Sequence, residues 1–329
     1  MSEKGLRPFF VVCERLNVYN SLEDAVKFVS GRGLGGTMKI QWYPGHMTKA
    51  RRKIEEDIKL VDVLVELLDA RIPFSSRNPD IDRIAKDKKR IVVLNKADLA
   101  DVTKTKKWVV FFEEQGIEVV LTDSSKGKGL KDVEKAALKL MEEKLASLKA
   151  KGLLTKTVRI MILGIPNVGK STFINKIAGK AITETGDRPG VTRSRQWVKV
   201  SNQLELLDTP GILWPKFEDE KVGYHLAFTG AIKDDIIDKI SLAGELLLLL
   251  AKKYPDRVMD RYKLSEDELE LSMDEILSAV GKRRGFLMSG GRIDLDRTAT
   301  IILDEYRGGK MGKITLEEPE DFISNENDN

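Results

Sequence analysis

The sequence predicts an α/β fold, a doubly wound and mainly parallel sheet, followed by a smaller all-helical domain. Three observations predict it. Short runs rich in Val, Ile and Leu alternate with helical patterns up to about residue 216, as parallel strands buried on both faces do. A glycine-rich segment, Gly164-Ile165-Pro166-Asn167-Val168-Gly169-Lys170-Ser171, falls between one such run and a helical pattern. After Lys216 the strand signal fades and the apolar spacing becomes helical.

Strands are expected over 61–68, 90–94, 117–122 and 157–163, with a hairpin of 197–200 and 203–207 across a Ser-Asn turn. Helices are expected over 47–59, 103–115, 129–149 and 170–178. In the helical domain they are expected over 231–253, 265–280 and 296–306. Ser265 and Glu268 have capping-box spacing, and Gly281 stands where a helix would end. Ile236, Ile237, Ile240 and Leu247 read as the core-facing side of a helix. The expected division is a 1–37 extension, a first domain over 38–216, a helical domain over 217–315 and an acidic tail over 316–329. Met38 opens a clearer pattern than the glycine-rich stretch before it, and is the expected natural start.

Composition excludes several classes. With 329 residues, 41% hydrophobic and 33% charged, the chain is neither disordered nor fibrous and has material for about two domains. The apolar run 246–251 is far short of a membrane span, so no membrane association is expected. The lone Cys13 points to a reducing compartment, with the cytoplasm the expected location, and the protein is expected to be a monomer. A net charge of +4 says little by itself, but 281–313 holds eight basic and four acidic residues between two acidic stretches.

The glycine-rich segment fits a P-loop. Its backbone N–H groups, with Val168 and Gly169 in the loop and Ser171 and Thr172 opening the helix, can curl around phosphates. Lys170 meets the β and γ phosphates, and the Ser171 hydroxyl serves Mg²⁺. Asn95-Lys96-Ala97-Asp98 selects the base. A carboxylate at Asp98 accepts from guanine N1–H and the exocyclic amine, which adenine cannot offer, while the Lys96 stem covers one face of the ring. Ser124 and Ser125 follow the next strand, where the Ser125 N–H can meet guanine O6. Asp208-Thr209-Pro210-Gly211 ends a hairpin strand, with Asp208 holding Mg²⁺ through water and the Gly211 N–H at the γ phosphate. Thr192 lies in the loop between, as a second hydroxyl for Mg²⁺.

These are the five elements of a GTPase, in an unusual order. The base-reading elements precede the P-loop, so the first domain reads as a circularly permuted P-loop GTPase domain, cut between the Asp208 strand and the 61–68 strand. An adenine-nucleotide enzyme is the competing reading, and Asp98 argues against it. Another is an RNA-binding scaffold whose nucleotide site gates affinity while turnover is incidental.

The permuted order, Trp42-Tyr43-Pro44-Gly45-His46-Met47, Asp69-Ala70-Arg71-Ile72-Pro73 and the tail resemble the ribosome biogenesis GTPase A family, also called YlqF, from Met38 to about Lys313. The resemblance implies GTP hydrolysis in assembly of the large ribosomal subunit, with that subunit's precursor and its ribosomal RNA as partners beside GTP and GDP. Many GTPases orient water with a glutamine where this chain has Ile212. His46 begins a helix running into the first strand, so it lies near the sheet's carboxyl edge and can approach the γ phosphate; the resemblance also implies a catalytic part for it. His225 reads as structural. Asn167 is a candidate K⁺ ligand, since a similar asparagine often accompanies K⁺ use when the glutamine is replaced by a hydrophobic residue. Lys282, Arg283, Arg284, Arg307, Lys310 and Lys313 are candidate RNA contacts, with Arg292 and Arg297 and with Lys49, Arg51, Arg52 and Lys53 near His46. In 307–313 the glycines are expected to let the backbone approach RNA closely.

Overall fold

A computed structural model of the chain describes residues 52, 54–79, 81–85, 88–152, 157–179, 196–208, 219–232, 234 and 237–323. Six strands form one sheet: β1 (Val63–Asp69), β2 (Lys89–Asn95), β3 (Glu118–Leu121), β4 (Val158–Gly164), β5 (Gln196–Lys199) and β6 (Leu204–Asp208). Their spatial order is β3-β2-β1-β4-β6-β5, parallel throughout except for the antiparallel β5–β6 hairpin. All seven residues of β1 are buried, as a mostly apolar run, interrupted by Glu66 and closed by Asp69, requires in a sheet covered on both sides. The P-loop strand β4 lies between β1 and β6, so the motifs leaving the carboxyl ends of β1, β2, β4 and β6 converge on one edge. This arrangement explains why the permutation is harmless: β1 would follow β6 in the unpermuted order, and here it simply comes first.

Helices α1 (Val102–Glu114), α2 (Leu130–Leu140), α3 (Glu142–Ala150) and α4 (Lys170–Ile177) connect the strands. One face of the sheet buries Val63, Val65, Ile91 and Ile160 beneath Val133 and Ala137 of α2 and Phe173 of α4. The other buries Leu68, Val92 and Leu94 under Trp108 and Phe112 of α1, and Leu64 and Met161 under Ile54, Ile58 and Ile81. Asp101 starts α1 by accepting from the N–H groups of Thr103 (2.8 Å) and Lys104 (3.0 Å).

Five helices of eight or more residues follow, α5 (Glu220–Phe228), α6 (Lys239–Lys253), α7 (Pro255–Tyr262), α8 (Met273–Arg283) and α9 (Leu295–Arg307), and a single turn, Glu320–Ile323, comes after them. Leu242, Leu246, Leu247 and Leu250 of α6 pack with Ile276, Leu277 and Val280 of α8 and with Ala299, Ile302 and Leu303 of α9, in a cluster continuous with the sheet's core. Leu247 is fully buried and Ile237 and Ile240 are half-buried, as the core-facing spacing requires, while Ile236 lies outside the described residues.

Several boundaries differ from expectation, each for a local reason. The 129–149 helix breaks at Met141, and α3 beyond it has no buried residue to hold it in line. The 231–253 helix begins only at Lys239, where Asp238 accepts from Ile240 N (3.1 Å). The 265–280 helix is two pieces: Ser265 and Glu268 close a 3-10 turn, Asp267–Glu270, and Ser272 with Glu275 forms the capping box that starts α8. Gly281 is inside α8, where a Cβ would fall 2.5 Å from Ile293 Cγ2 and 2.7 Å from Thr298 Oγ1; the left-handed residue after the helix is Gly285 (φ +68°). Helices α5 and α7 lie outside the expected set, the latter because its four charged residues dilute the apolar repeat.

The 316–329 stretch does not begin as a free acidic tail. Leu316 and Glu317 are fully buried, and Ile314 to Leu316 run against the sheet domain. Ile314 N donates to Leu99 O (2.9 Å) and Leu316 N to Arg71 O (2.8 Å). Glu317 takes the N–H groups of Phe74 (2.7 Å) and Ser75 (3.2 Å), the Ser75 hydroxyl, and His225 Nδ1 (2.7 Å). His225 is therefore structural, as read from the sequence.

Candidate nucleotide-binding site

Between β4 and α4 the chain makes a tight loop in which Asn167 (φ +57°) and Gly169 (φ +97°) are left-handed. A Cβ on Gly169 would stand 2.6 Å from Asn95 Nδ2, so only glycine lets the loop close against the base-reading segment. Lys170 is buried, and Ser171 and Thr172 are half-buried in the first turn of α4. Backbone N–H groups at the start of this eight-residue helix, with a buried lysine among them, make an anion site suited to phosphate.

Asn95, at the end of β2, has both ends of its amide taken by the protein. Its Nδ2 donates to Val168 O (2.8 Å), while its Oδ1 accepts from Thr122 Oγ1 (3.0 Å), Ser124 N (3.2 Å) and Ser124 Oγ (2.6 Å). Asn95 and Ser124 thus tie three loops together, which positions the base pocket. Lys96 (φ +58°) reaches across to Asn167 O (2.7 Å) and to Asp69 Oδ2 (3.0 Å). Asp98 keeps a partly exposed carboxylate, 3.8 Å from Lys126 Nζ, open to a ligand donor pair. The exposed Ser125 turns its hydroxyl to Asp123 Oδ1 (2.5 Å), fixing the turn from which its N–H can act.

A second group was seen in the sequence only as part of a family signature. At the end of β1, buried Asp69 accepts from Arg71 Nε (2.9 Å) and Nη2 (2.8 Å) as well as from Lys96. Burial alone would raise its pKa, but Arg71 and Lys96 outweigh that and hold the carboxyl well below the usual range. Burial lowers the Lys96 ammonium, with Asp69 opposing. Arg71 also donates to Arg307 O (3.3 Å) and lies 5.4 Å from the centre of the Tyr306 ring. The base loop is thereby wired to α9. A carboxylate in Asp69-Ala70-Arg71 ending an apolar strand was the available signal, since a charge there needs a partner.

The structure alters the set of RNA candidates. Arg307 spends its guanidinium on Phe228 O (3.0 Å), Ala227 O (2.9 Å) and Asp234 (2.8 Å), so it joins α9 to α5 instead of meeting RNA. Arg284 pairs with buried Glu305 (2.9 Å) and Arg283 with Glu268 (3.0 Å). The glycines of 307–313 admit protein: a Cβ on Gly309 would meet Leu99, and one on Gly312 would meet Arg257. Lys282, Lys310 and Lys313 remain exposed. Arg52 is exposed, while His46, Lys49, Arg51, Lys53, Thr192, Gly211 and Ile212 lie outside the described residues, as does the side chain of Asp208.

Among the described residues no cluster of three or more His, Cys, Asp or Glu is disposed to hold a metal ion. The donor set nevertheless fits Mg²⁺ held with phosphate: the hydroxyl-bearing Ser171 opens α4, and Asp208 ends β6 at the same sheet edge.

A phosphate-binding helix start, a base loop locked to it, and a sheet whose base-reading strands come first define a circularly permuted P-loop GTPase. The family model described as 50S ribosome-binding GTPase matches residues 159–270. Ribosome biogenesis GTPase A of Bacillus cereus is 53% identical over 285 residues, covering 87% of this chain and 96% of that protein. Its Thermotoga maritima counterpart is 34% identical, covering 86% and 96%. Mitochondrial ribosome-associated GTPase 1 of Mus musculus is 34% identical, covering 86% and 92%. A GDP-bound YlqF structure superimposes with a TM-score of 0.61 at 32% identity, covering 82% of this chain and all of that one. A GNP-bound YlqF structure from T. maritima gives 0.58 at 30%, covering 83% and 99%. The chain belongs to the ribosome biogenesis GTPase A family, and its reaction is hydrolysis of GTP.

Proposed function

We propose that this protein is a GTP-driven switch that docks on the maturing large ribosomal subunit in a late step of its assembly, hydrolyses GTP in response to the subunit, and then leaves. The names of its relatives support the partner. The observation that carries the switch is the run of contacts from Asn167 O through Lys96, Asp69 and Arg71 to Arg307 O, which joins the nucleotide loops to the helical part. In this reading the GTPase domain spans 38–216 and the ribosome-binding helical domain 217–315. Within the cytoplasm the protein acts as a monomer; no described helix is long and apolar enough to cross a membrane.

Chemistry at the site is phosphoryl transfer to water. Lys170 and the N–H groups of Gly169, Ser171 and Thr172 bind and orient the phosphates, and Gly211 N–H reads the γ phosphate. Ser171, Thr192 and, through water, Asp208 would hold Mg²⁺, which would neutralise charge on the phosphate oxygens. With Ile212 in place of a glutamine, His46 positions the attacking water. Asn167 Nδ2 donates to Gly230 O (2.6 Å), leaving its Oδ1 for K⁺. Lys282, Lys310 and Lys313 meet ribosomal RNA phosphates.

Co-sedimentation with purified large subunits tests the switch: retention with a non-hydrolysable GTP analogue and loss with GDP are expected, and equal retention contradicts it. His46→Ala is expected to lower subunit-stimulated turnover by about 100-fold or more while GTP affinity stays. Unchanged turnover removes His46 from the mechanism, and equal rates in K⁺ and Na⁺ remove K⁺.

A further inference from the structure

Between α8 and α9 the chain forms a small, firmly seated hairpin. Leu287 and Ile293 bridge, Met288 N donates to Arg292 O (2.8 Å), and Gly291 N closes the turn on Met288 O (3.1 Å). Gly290 (φ +85°) and Gly291 (φ +75°) supply the left-handed backbone that so short a turn requires. At its base Phe286 N donates to Gly281 O (2.9 Å) and Asp294 N to Phe286 O (2.9 Å), while Ile293 fills the space left by the missing side chain of Gly281. A glycine in the last turn of α8, with Ile293 in the space it leaves, holds the hairpin in one place.

Its tip is the opposite of what folding alone favours. Leu287 is 54% exposed and Met288 51%, two adjacent large apolar side chains presented to solvent. Lys282 in the last turn of α8, Arg292 in the hairpin itself and Arg297 in the first turn of α9 are exposed and make no ion pair among the described residues, Arg297 lying 4.7 Å from the centre of the Phe286 ring. Of the two acidic groups nearby, Asp294 is occupied in capping α9 at Arg297 N (3.0 Å), leaving exposed Asp296 as the opposing charge.

We infer that this hairpin is an RNA-inserting element: Leu287 and Met288 seat against unstacked bases, and Lys282, Arg292 and Arg297 take the flanking phosphates. Apolar wedges ringed by cations are how proteins open and hold nucleic acid structure, and unpaired bases in RNA offer the flat apolar faces such a wedge needs. An extended membrane contact would need more apolar surface than two residues give. The inference rests on the large-subunit reading above in naming ribosomal RNA as the strand engaged.

The test uses the full chain, loaded with a non-hydrolysable GTP analogue, against purified large subunits. Thermal midpoint and GTP affinity check the fold of each variant. Leu287→Ser with Met288→Ser is expected to weaken binding at least about tenfold with the salt dependence unchanged. Lys282→Gln with Arg292→Gln is expected to reduce the slope of log affinity against log salt by about 1.4. A photocrosslinking residue in place of Met288 is expected to label ribosomal RNA. Binding of the tip variant within twofold of the unaltered protein, or crosslinks to a ribosomal protein alone, overturns the inference. If unaltered protein binds GTP but not the subunit, the function proposed above fails. The same variants against protein-free large-subunit RNA then decide the hairpin on its own, equal affinity for that RNA rejecting it.

Discussion

At the scale of single residues, the site divides into groups that read the ligand and groups that hold the readers. Asp98 belongs to the first kind, and its open carboxylate makes a sharp forecast: Asp98→Asn lowers GTP affinity by about 100-fold or more and improves the relative binding of xanthosine triphosphate, measured by competition. Asp69 belongs to the second. Its carboxyl is depressed by Arg71 and Lys96, so its contribution to stability is present above the ordinary carboxylate range near pH ~4 and is lost as pH falls through the lower folded value. Asp69→Asn is expected to cost about 3 kcal/mol at neutral pH, because it strands buried Arg71, and to flatten the acid limb of the stability curve. Chemical denaturation from pH 7 downward checks both. The candidate ligand-reading residues can be named from the sequence because nucleotide chemistry fixes their spacing, and the structure brings Asn95, Lys96 and the Asn167–Gly169 loop together. Asp69 with Arg71 was visible only as a signature, since its partner Lys96 is 27 positions away and nothing in one dimension brings them together. Arg307 shows the same limit: a cation in a basic stretch looks available until Asp234 and two carbonyl oxygens are found around it.

At the scale of elements, the strands were legible to within a few residues because a sheet buried on both faces leaves mostly apolar runs. The helical part was less so. Its breaks depend on which of several capping residues wins, and Ser272 and Asp238 outcompeted the expected starts. Gly281 illustrates why composition misled: a glycine late in a helix suggested its end, whereas the space it leaves is filled by Ile293 and Thr298. Gly281→Ala should therefore lower stability by about 1–3 kcal/mol through overpacking, although alanine is the better helix former. A measured gain in thermal midpoint would show that the hairpin can move aside. The β4–α4 loop is equally constrained. Gly169→Ala is expected to abolish measurable GTP binding, because both the left-handed backbone and the 2.6 Å approach of Asn95 Nδ2 exclude a side chain.

At the scale of the whole molecule, the chain returns to its own nucleotide domain. Ile314 to Glu317 lie along the loops after β1 and β2, bonded to Leu99 and Arg71 and closed by Glu317 on Phe74, Ser75 and His225. A reading of charge alone places Leu316 and Glu317 at the start of a tail, and only the three-dimensional path makes Glu317 a buried cap for the turn after Pro73. The base loop meets the helical part and this return by Ile314 on Leu99, by Asp101 N on Thr315 Oγ1 (3.0 Å) and by the Lys96–Asp69–Arg71–Arg307 run. Glu317→Ala is expected to cost about 2–4 kcal/mol by leaving those N–H groups buried and unpaired, and to raise hydrogen exchange together in the 70–76 loop and in α9. Exchange confined to the C-terminus would contradict the coupling.

The measurement that bears most directly on the account is steady-state GTP hydrolysis with and without purified large ribosomal subunits, with small subunits as control, in K⁺ and in Na⁺ buffer. The account predicts slow turnover alone and strong stimulation by large subunits only. Equal turnover in all conditions, with GTP binding confirmed, would contradict a switch governed by the large subunit.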